Sequence, residues 1–281
     1  MIELAEPPNL LSLYARAALT GPLHHGDTLP DAEVVLRDQP IDAERLAGYQ
    51  RLCGFRISDV LPPTYLHVLA FPLTVSLMTD RAFPFALAGL VHVSNVIEHR
   101  RPVGMDEQVT LKVRAVDLRA HRAGRQVDVL ADVTVDDETV WRSRSTYLRP
   151  GKPTGPKAPR EASEQPPGPA ALIRVPGDIG RRYGAVSGDR NPIHLYPLTA
   201  RAFGFRRAIA HGMWLKARVL ATLEGRLPES FEVDVAFKAP LLLPSTITCA
   251  TVAHDDQWRL DVRNAKSGKP HLTGTVAPLR P

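Results

Sequence analysis

The sequence predicts an α+β fold laid down twice. Three observations carry this. Helix-type apolar spacing comes before four Val- and Thr-rich strand segments; the same order returns after residue 170; and a proline-rich stretch separates the two. Apolar residues at helical spacing mark helices, while short β-branched runs between turn residues mark strands.

In order, Leu10, Leu11, Leu13, Tyr14, Ala17 and Leu19 are spaced as one apolar face of a docked amphipathic helix. The turn-rich His24-His25-Gly26-Asp27 follows. Adjacent histidines without further ligands in pattern read as loop residues, not a metal site. Glu33-Val34-Val35-Leu36 is a short strand, and Asp42 is a good N-cap for a helix ending near Cys53. Pro62-Pro63-Thr64 opens an apolar helix over 65–78. Pro72 inside it either bends the helix and frees a carbonyl or ends it early. Strands are expected at 92–98, 108–118, 126–136 and 139–148.

Seven of the twenty residues from Pro150 to Pro169 are proline. Such a segment packs no core and tends to extend, so it is a linker. The expected organisation is therefore 1–149, a linker over 150–170, and 171–281. The second unit opens on Ile173-Arg174-Val175 and a helix from about Asp178. A long helix is expected over 212–224, and strands at 232–238, 246–254, 257–264 and 271–277. Tyr49-Gln-Arg-Leu-Cys-Gly-Phe55 lies over Tyr183-Gly-Ala-Val-Ser-Gly-Asp189 without a gap, and internal repeats of this kind constrain the fold. Continued without a gap, the overlay sets Phe55 against Asp189 and Val60 against His194. The first half is then expected to be catalytically silent and free to form a hydrophobic cavity.

The 281 residues are 44% hydrophobic with a net charge of +5, so the chain holds a real core and its surface favours anionic partners. No zinc-finger spacing, helix-turn-helix or aromatic-interleaved basic motif points to nucleic acid. Cys53 and Cys249 stand far apart, as in a reducing cytoplasm. Glu3 and Glu6 sit where a signal peptide needs basic residues, and no apolar run approaches the ~20 residues of a membrane span. The expectation is a cytoplasmic protein without an integral membrane segment. No GxGxxG follows a strand, so no nucleotide redox cofactor is expected, and no cofactor or metal is assigned.

The chemistry concentrates in 183–213. Asp189 precedes His194 by five residues, with Asn191-Pro192 turning the chain between them. A carboxylate ionised at neutral pH beside an imidazole that titrates near it makes a general acid/base pair. Gly212 opens the next apolar helical run. Free N–H groups at a helix start bind anions or a developing oxyanion.

Tyr183-x-x-x-Ser187-Gly-Asp189-x-Asn191-Pro-Ile-His194, then Ala200, then Ile209-Ala-His-Gly-Met213, resembles the hydratase-2 motif of MaoC-like (R)-specific enoyl-thioester hydratases and dehydratases, at every position. Leu90-Val-His-Val-Ser-Asn95, Arg101-Pro102 and Pro270-His-Leu-Thr-Gly-Thr-Val276 are similar to the actinobacterial X-type dehydratases of that family. The resemblance implies a double hotdog, each repeat a central helix against a curved antiparallel sheet. It implies reversible syn hydration of trans-2-enoyl thioesters to (3R)-3-hydroxyacyl thioesters. By motif position, Asp189 and His194 are the catalytic pair and Gly212 gives the oxyanion-hole amide; Asn191, Tyr183 and Ser187 support them. Arg206 and Arg207, just before Gly212, are candidates for the phosphates of acyl-CoA or of an acyl carrier protein's phosphopantetheine. A homodimer is left open. The competing activities are a hotdog acyl-thioester hydrolase and a non-catalytic acyl-thioester binding subunit.

Overall fold

A computed structural model describes residues 1–20, 26–152 and 168–279. A short strand β1 (Ile2–Leu4) and a helix α1 (Leu10–Thr20) precede the first half, which runs β2 (Glu33–Gln39), α2 (Ala43–Cys53), α3 (Pro63–Met78), β3 (Val91–His99), β4 (Val109–His121), β5 (Gly124–Val135) and β6 (Glu138–Pro150). The second half begins β7 (Ala171–Val175), α4 (Ile179–Ser187), α5 (Pro192–Leu195), α6 (Pro197–Ala202) and α7 (Gly212–Leu220). It closes with β8 (Phe231–Phe237), β9 (Ser245–His254), β10 (Gln257–Asn264) and β11 (Pro270–Pro278).

The strands form one sheet in the order β1-β2-β4-β5-β6-β3-β8-β11-β10-β9-β7. Apart from β1, which pairs parallel with β2, every pairing is antiparallel. The order is the same read inward from either end: β2, β4, β5, β6, β3 from one, β7, β9, β10, β11, β8 from the other. The halves meet where β3 pairs with β8, Asn95 opposite Val235. This is a double hotdog.

Local chemistry explains the helix limits. Asp42 caps α2 by accepting from the Arg45 N–H at 3.0 Å. Gly54 and Gly188, with φ of 85° and 83°, end α2 and α4 in the left-handed region that glycine enters without a Cβ penalty. Helix α3 is apolar on nearly every side and is accordingly buried on nearly every side. It runs through Pro72 to Met78, so the proline does not end it, and the Val68 carbonyl has no Pro72 N–H to accept. The helix expected over 212–224 is shorter: α7 ends at Leu220 and tightens into a 3₁₀ turn over Ala221–Leu223. Strand β1 carries too short a pattern to be foreseen. His24-His25 and most of the proline-rich linker lie outside the described residues. Among the described residues no helix is long and apolar enough to cross a membrane.

The two halves interlock through a buried polar pin. Lys216 on α7 is fully buried. Its Nζ donates to Asn95 Oδ1 at 2.6 Å, Asn95 O at 3.0 Å and Val233 O at 3.1 Å. Asn95 Nδ2 in turn donates to the Ser143 and Ser145 hydroxyls at 2.8 and 3.1 Å. Burial pushes the lysine well below its ordinary pKa, while three oxygens that can only accept match the three hydrogens of an ammonium.

The backbone also corrects the gap-free overlay. Phe55 does stand where Asp189 stands, each following its left-handed glycine. Beyond them the match shifts. Leu61 N donates to Val103 O at 2.9 Å and Met105 N to Asp59 O at 2.7 Å. In the second half Ala210 N donates to Leu241 O at 2.9 Å and Leu243 N to Ala208 O at 2.8 Å. Val60 bridges Gly104 as Ile209 bridges Leu242. Val60 is therefore the counterpart of Ile209, not of His194. The segment carrying α5 and α6 is an insertion of the second half, and Pro63 of α3 stands where Gly212 of α7 stands.

Candidate active site

A cavity of about 200 Å³ lies between the halves, enough for a substrate rather than one trapped water. The second half brings Asp189, Asn191, His194, His211 and Gly212 to it. The first half contributes an apolar wall that includes Val68, Phe71, Val75, Met78, Leu87 and Leu90.

The motif segment lies close on α4 because that helix presents glycines one turn apart. A Cβ at Gly180 would collide with the His194 carbonyl, and one at Gly184 would come within 2.8 Å of the Asp189 carbonyl. Past Gly188, Asp189 N donates to Ser187 Oγ at 3.1 Å, and Ser187 Oγ donates to Tyr183 O at 2.8 Å. Asn191 N donates to Asp189 Oδ1 at 3.1 Å, and the Asn191 side chain caps α5 through the Ile193 N–H at 3.4 Å. Pro192 at the first helical position needs no hydrogen-bond partner. One helical turn then carries His194 into the cavity.

His194 Nδ1 lies 2.8 Å from the Ile209 carbonyl, which can only accept, so this nitrogen carries the proton and Nε2 keeps a lone pair. His211 Nε2 donates in the same way to the Asp189 carbonyl at 3.0 Å. The rings of His194 and His211 stack with centroids 3.6 Å apart. The nearest ligating atoms of Asp189, His194 and His211 all fall within 4.8 Å of one another, a spacing that suits proton relay through one bound water. Burial and the neighbouring ring push His211 down to about 3. Burial outweighs Asp189 and holds His194 below 6.5, so both imidazoles are neutral at pH 7. Burial acts to raise the Asp189 carboxyl, but the two histidines, the Asn191 N–H and the Tyr14 hydroxyl hold it below its ordinary value. The Asn191 N–H and the Tyr14 hydroxyl are the two hydrogen-bond donors among these groups, and both favour the charged carboxylate.

Gly212 begins α7, and a Cβ there would lie 2.9 Å from the Phe237 ring. Only glycine allows the helix N-terminus to come this close to the cavity wall. Tyr183 is buried behind His211, ring centroids 4.8 Å apart, and beside Tyr49 at 6.1 Å. Arg206 and Arg207 are exposed on the loop before α7 and do not line the cavity; Phe205 beside them does.

Two residues escaped the sequence reading. His211 is the N-cap of α7, and its ring stands in the site. Tyr14 stands on the apolar face expected for docking, yet its hydroxyl donates to Asp189 Oδ1 at 3.1 Å. The glycines Gly180 and Gly184 were a legible signal of close packing; Tyr14 left none.

The MaoC like domain matches residues 157–275. The 3-hydroxyacyl-thioester dehydratase X of Mycobacterium tuberculosis is 39% identical over 98% of this chain and 100% of its own length. The crystal structure of M. tuberculosis HtdX superposes with a TM-score of 0.79 at 39% identity, covering 88% of this chain and 100% of that one. A MaoC-like dehydratase from Phytophthora capsici shares the fold, with a TM-score of 0.73 at 18% identity over 90% of this chain and 96% of that one.

Proposed function

The chain belongs to the MaoC-like dehydratase family, and from that premise we propose how its residues divide the work. It is a hydro-lyase that interconverts 3-hydroxyacyl and 2-enoyl thioesters. In dehydration, His194 Nε2 takes the proton from the carbon alpha to the thioester carbonyl. The α7 N-terminus, through the Gly212 amide, holds the charge that develops on the carbonyl oxygen. The C3–O bond then breaks as the imidazolium returns its proton to the departing hydroxyl, and the electron pair of the lost C–H bond becomes the double bond. Water leaves beside Asp189, whose carboxylate orients it. In hydration the steps run backwards. One base serving one face gives the syn course, and the (3R) product follows from the family motif.

The observation that carries this reading is the His194 Nδ1 contact to the Ile209 carbonyl, because it fixes the tautomer that points a lone pair at the cavity. The test is an assay of 2-enoyl-CoA hydration followed by loss of enone absorbance, with chiral analysis of the product. Asp189→Asn and His194→Ala should each lower kcat about 100-fold or more, as loss of an acid/base group does. Near wild-type turnover in either variant sinks the assignment. Release of free thiol without loss of the enone selects the thioester hydrolase instead.

The substrate is carried by coenzyme A or an acyl carrier protein, with Arg206 and Arg207 meeting phosphate at the mouth. Residues 1–149 house the acyl chain, 150–170 link, and 171–281 react. The protein works in the cytoplasm, where the buried thiols of Cys53 and Cys249 stay reduced.

A further inference from the structure

Helix α1 has no counterpart in the strand-and-helix order that the two halves share. It is nonetheless anchored to the site. Asn9 Oδ1 caps it, accepting from the Leu11 and Ser12 N–H groups at 2.9 and 3.2 Å. Near its start, Leu10 lies against Gly188, the residue before Asp189. Further along, Arg16 donates to the hydroxyl of Thr79, just past the end of α3, at 2.7 Å. Between these two anchors Tyr14 turns into the cavity and donates to Asp189 Oδ1 across 175 residues of sequence.

The two carboxylate oxygens thereby differ. Oδ1 takes the Tyr14 hydroxyl and the Asn191 N–H, both at 3.1 Å. Oδ2 lies 3.6 Å from His211 Nε2, whose hydrogen is already directed at the Asp189 main-chain oxygen. Oδ2 is the oxygen left to meet a reactant.

We propose that Tyr14 is a positioning residue of the dehydratase reaction: its hydroxyl locks the Asp189 carboxylate in rotation, so that α1 completes the active site. This rests on the reading of Asp189 as the group that orients water. The groups facing Asp189 are Tyr14 from α1, His67 from α3, His92 from β3, Tyr147 from β6, Tyr183 from α4, His194 from α5 and His211 from the α7 cap. Among the described residues, Tyr14 is the side chain that hydrogen-bonds the carboxylate. Burial and then the adjacent charge of Asp189 keep its phenol protonated far above neutral pH, so it donates throughout the working range. A donor that favours the charged form lowers a carboxyl pKa, and its removal raises it. The acid limb of the rate profile must then move to higher pH.

The experiment is steady-state kinetics against pH on wild type, Tyr14→Phe, Asp189→Asn and the double variant, with a 2-enoyl-CoA as substrate. The expected result for Tyr14→Phe is a kcat lower by about tenfold, the scale of one hydrogen bond to a charged group. KM stays within about twofold, and the acid limb rises. The double variant is no slower than Asp189→Asn alone, since the hydroxyl acts only through that carboxylate. A Tyr14→Phe enzyme with wild-type kcat and pH profile, beside an inactive Asp189→Asn, overturns the inference and leaves the site intact. A loss confined to KM or thermal stability, with the acid limb unmoved, overturns it as well. Wild-type activity in Asp189→Asn overturns the reading of the site itself.

Discussion

The two halves of this protein are the same architecture with different contents. Each has a strand, a helix that ends on a left-handed glycine, a central helix and four strands, and each central helix starts at the same point in its backbone ladder. The first half passes from Phe55 to Asp59 where the second passes from Asp189 to Ala208, adding α5 and α6. His194 lies within that addition. At the next equivalent position the first half has Pro63, which lacks an N–H, where the second has Gly212, which offers one. Counterparts of the proposed base, orienting carboxylate and oxyanion donor are thus all absent from the first half, each for a separate reason: an insertion not made, Phe55 for Asp189, Pro63 for Gly212. What the first half has instead is length. Helix α3 extends through Pro72 to Met78, beyond the equivalent end of α7, and its added turns supply Val75 and Met78 to the apolar wall. His67 occupies the place of Lys216 and is likewise buried, so the lysine of the pin comes from the second half and its Asn95 partner from the first.

Three measurements sharpen or break that contrast. The largest effect is expected at the paired helix starts. Gly212→Ala should lower kcat about 100-fold, because the new methyl meets the Phe237 ring and shifts the amide proposed to hold the oxyanion. Pro63→Ala should leave kcat within about twofold, as the position offers no donor to lose. Equal losses in the two variants break the proposed asymmetry. The second effect concerns the wall. Leu87→Trp should reduce kcat/KM for a long-chain 2-enoyl-CoA about tenfold while sparing crotonyl-CoA, since added bulk in an apolar channel rejects chain length, not chemistry. Uniform loss on both substrates removes the first half from the acyl site.

The smallest effect is shared by both halves. Burial pushes His67 and His99 down to about 4 and His92 to about 3, and in the second half holds His194 and His271 below 6.5 and His211 down to about 3. The folded state keeps these rings neutral, whereas the unfolded chain takes up protons near 6.5. The stability they contribute is complete above pH 6.5 and is lost as pH falls toward 4 and 3. Thermal melts should show Tm falling by about 5 °C or more between pH 7 and 5, given ~1.4 kcal/mol per fully displaced proton and pH unit. Replacing His194 by Ala should remove only part of that dependence. A Tm that holds steady or rises on acidification contradicts the burial of the neutral rings.

Much of this was legible in the sequence. Asp42, Gly54, Gly188 and Pro192 set helix limits through contacts within a few residues, and such signals survive in a linear reading. The motif placed Asp189, His194 and Gly212 because a turn of fixed length and a helix start are local objects. The gap-free overlay failed beyond Phe55 because a repeat can gain residues in a loop without changing the strands on either side. Only paired hydrogen bonds, Leu61 to Val103 and Ala210 to Leu241, reveal where the match resumes.

The chain's own order of residues determined the kinds of elements, their succession and the chemical groups of the site, since these follow from backbone preference and short spacing. Tertiary structure alone decided that β3 would join β8, that His211 would stack on His194, and that Tyr14 would reach Asp189 from an added helix. Those contacts join segments up to 175 residues apart, and packing between faces leaves no period or spacing in the sequence that encodes it.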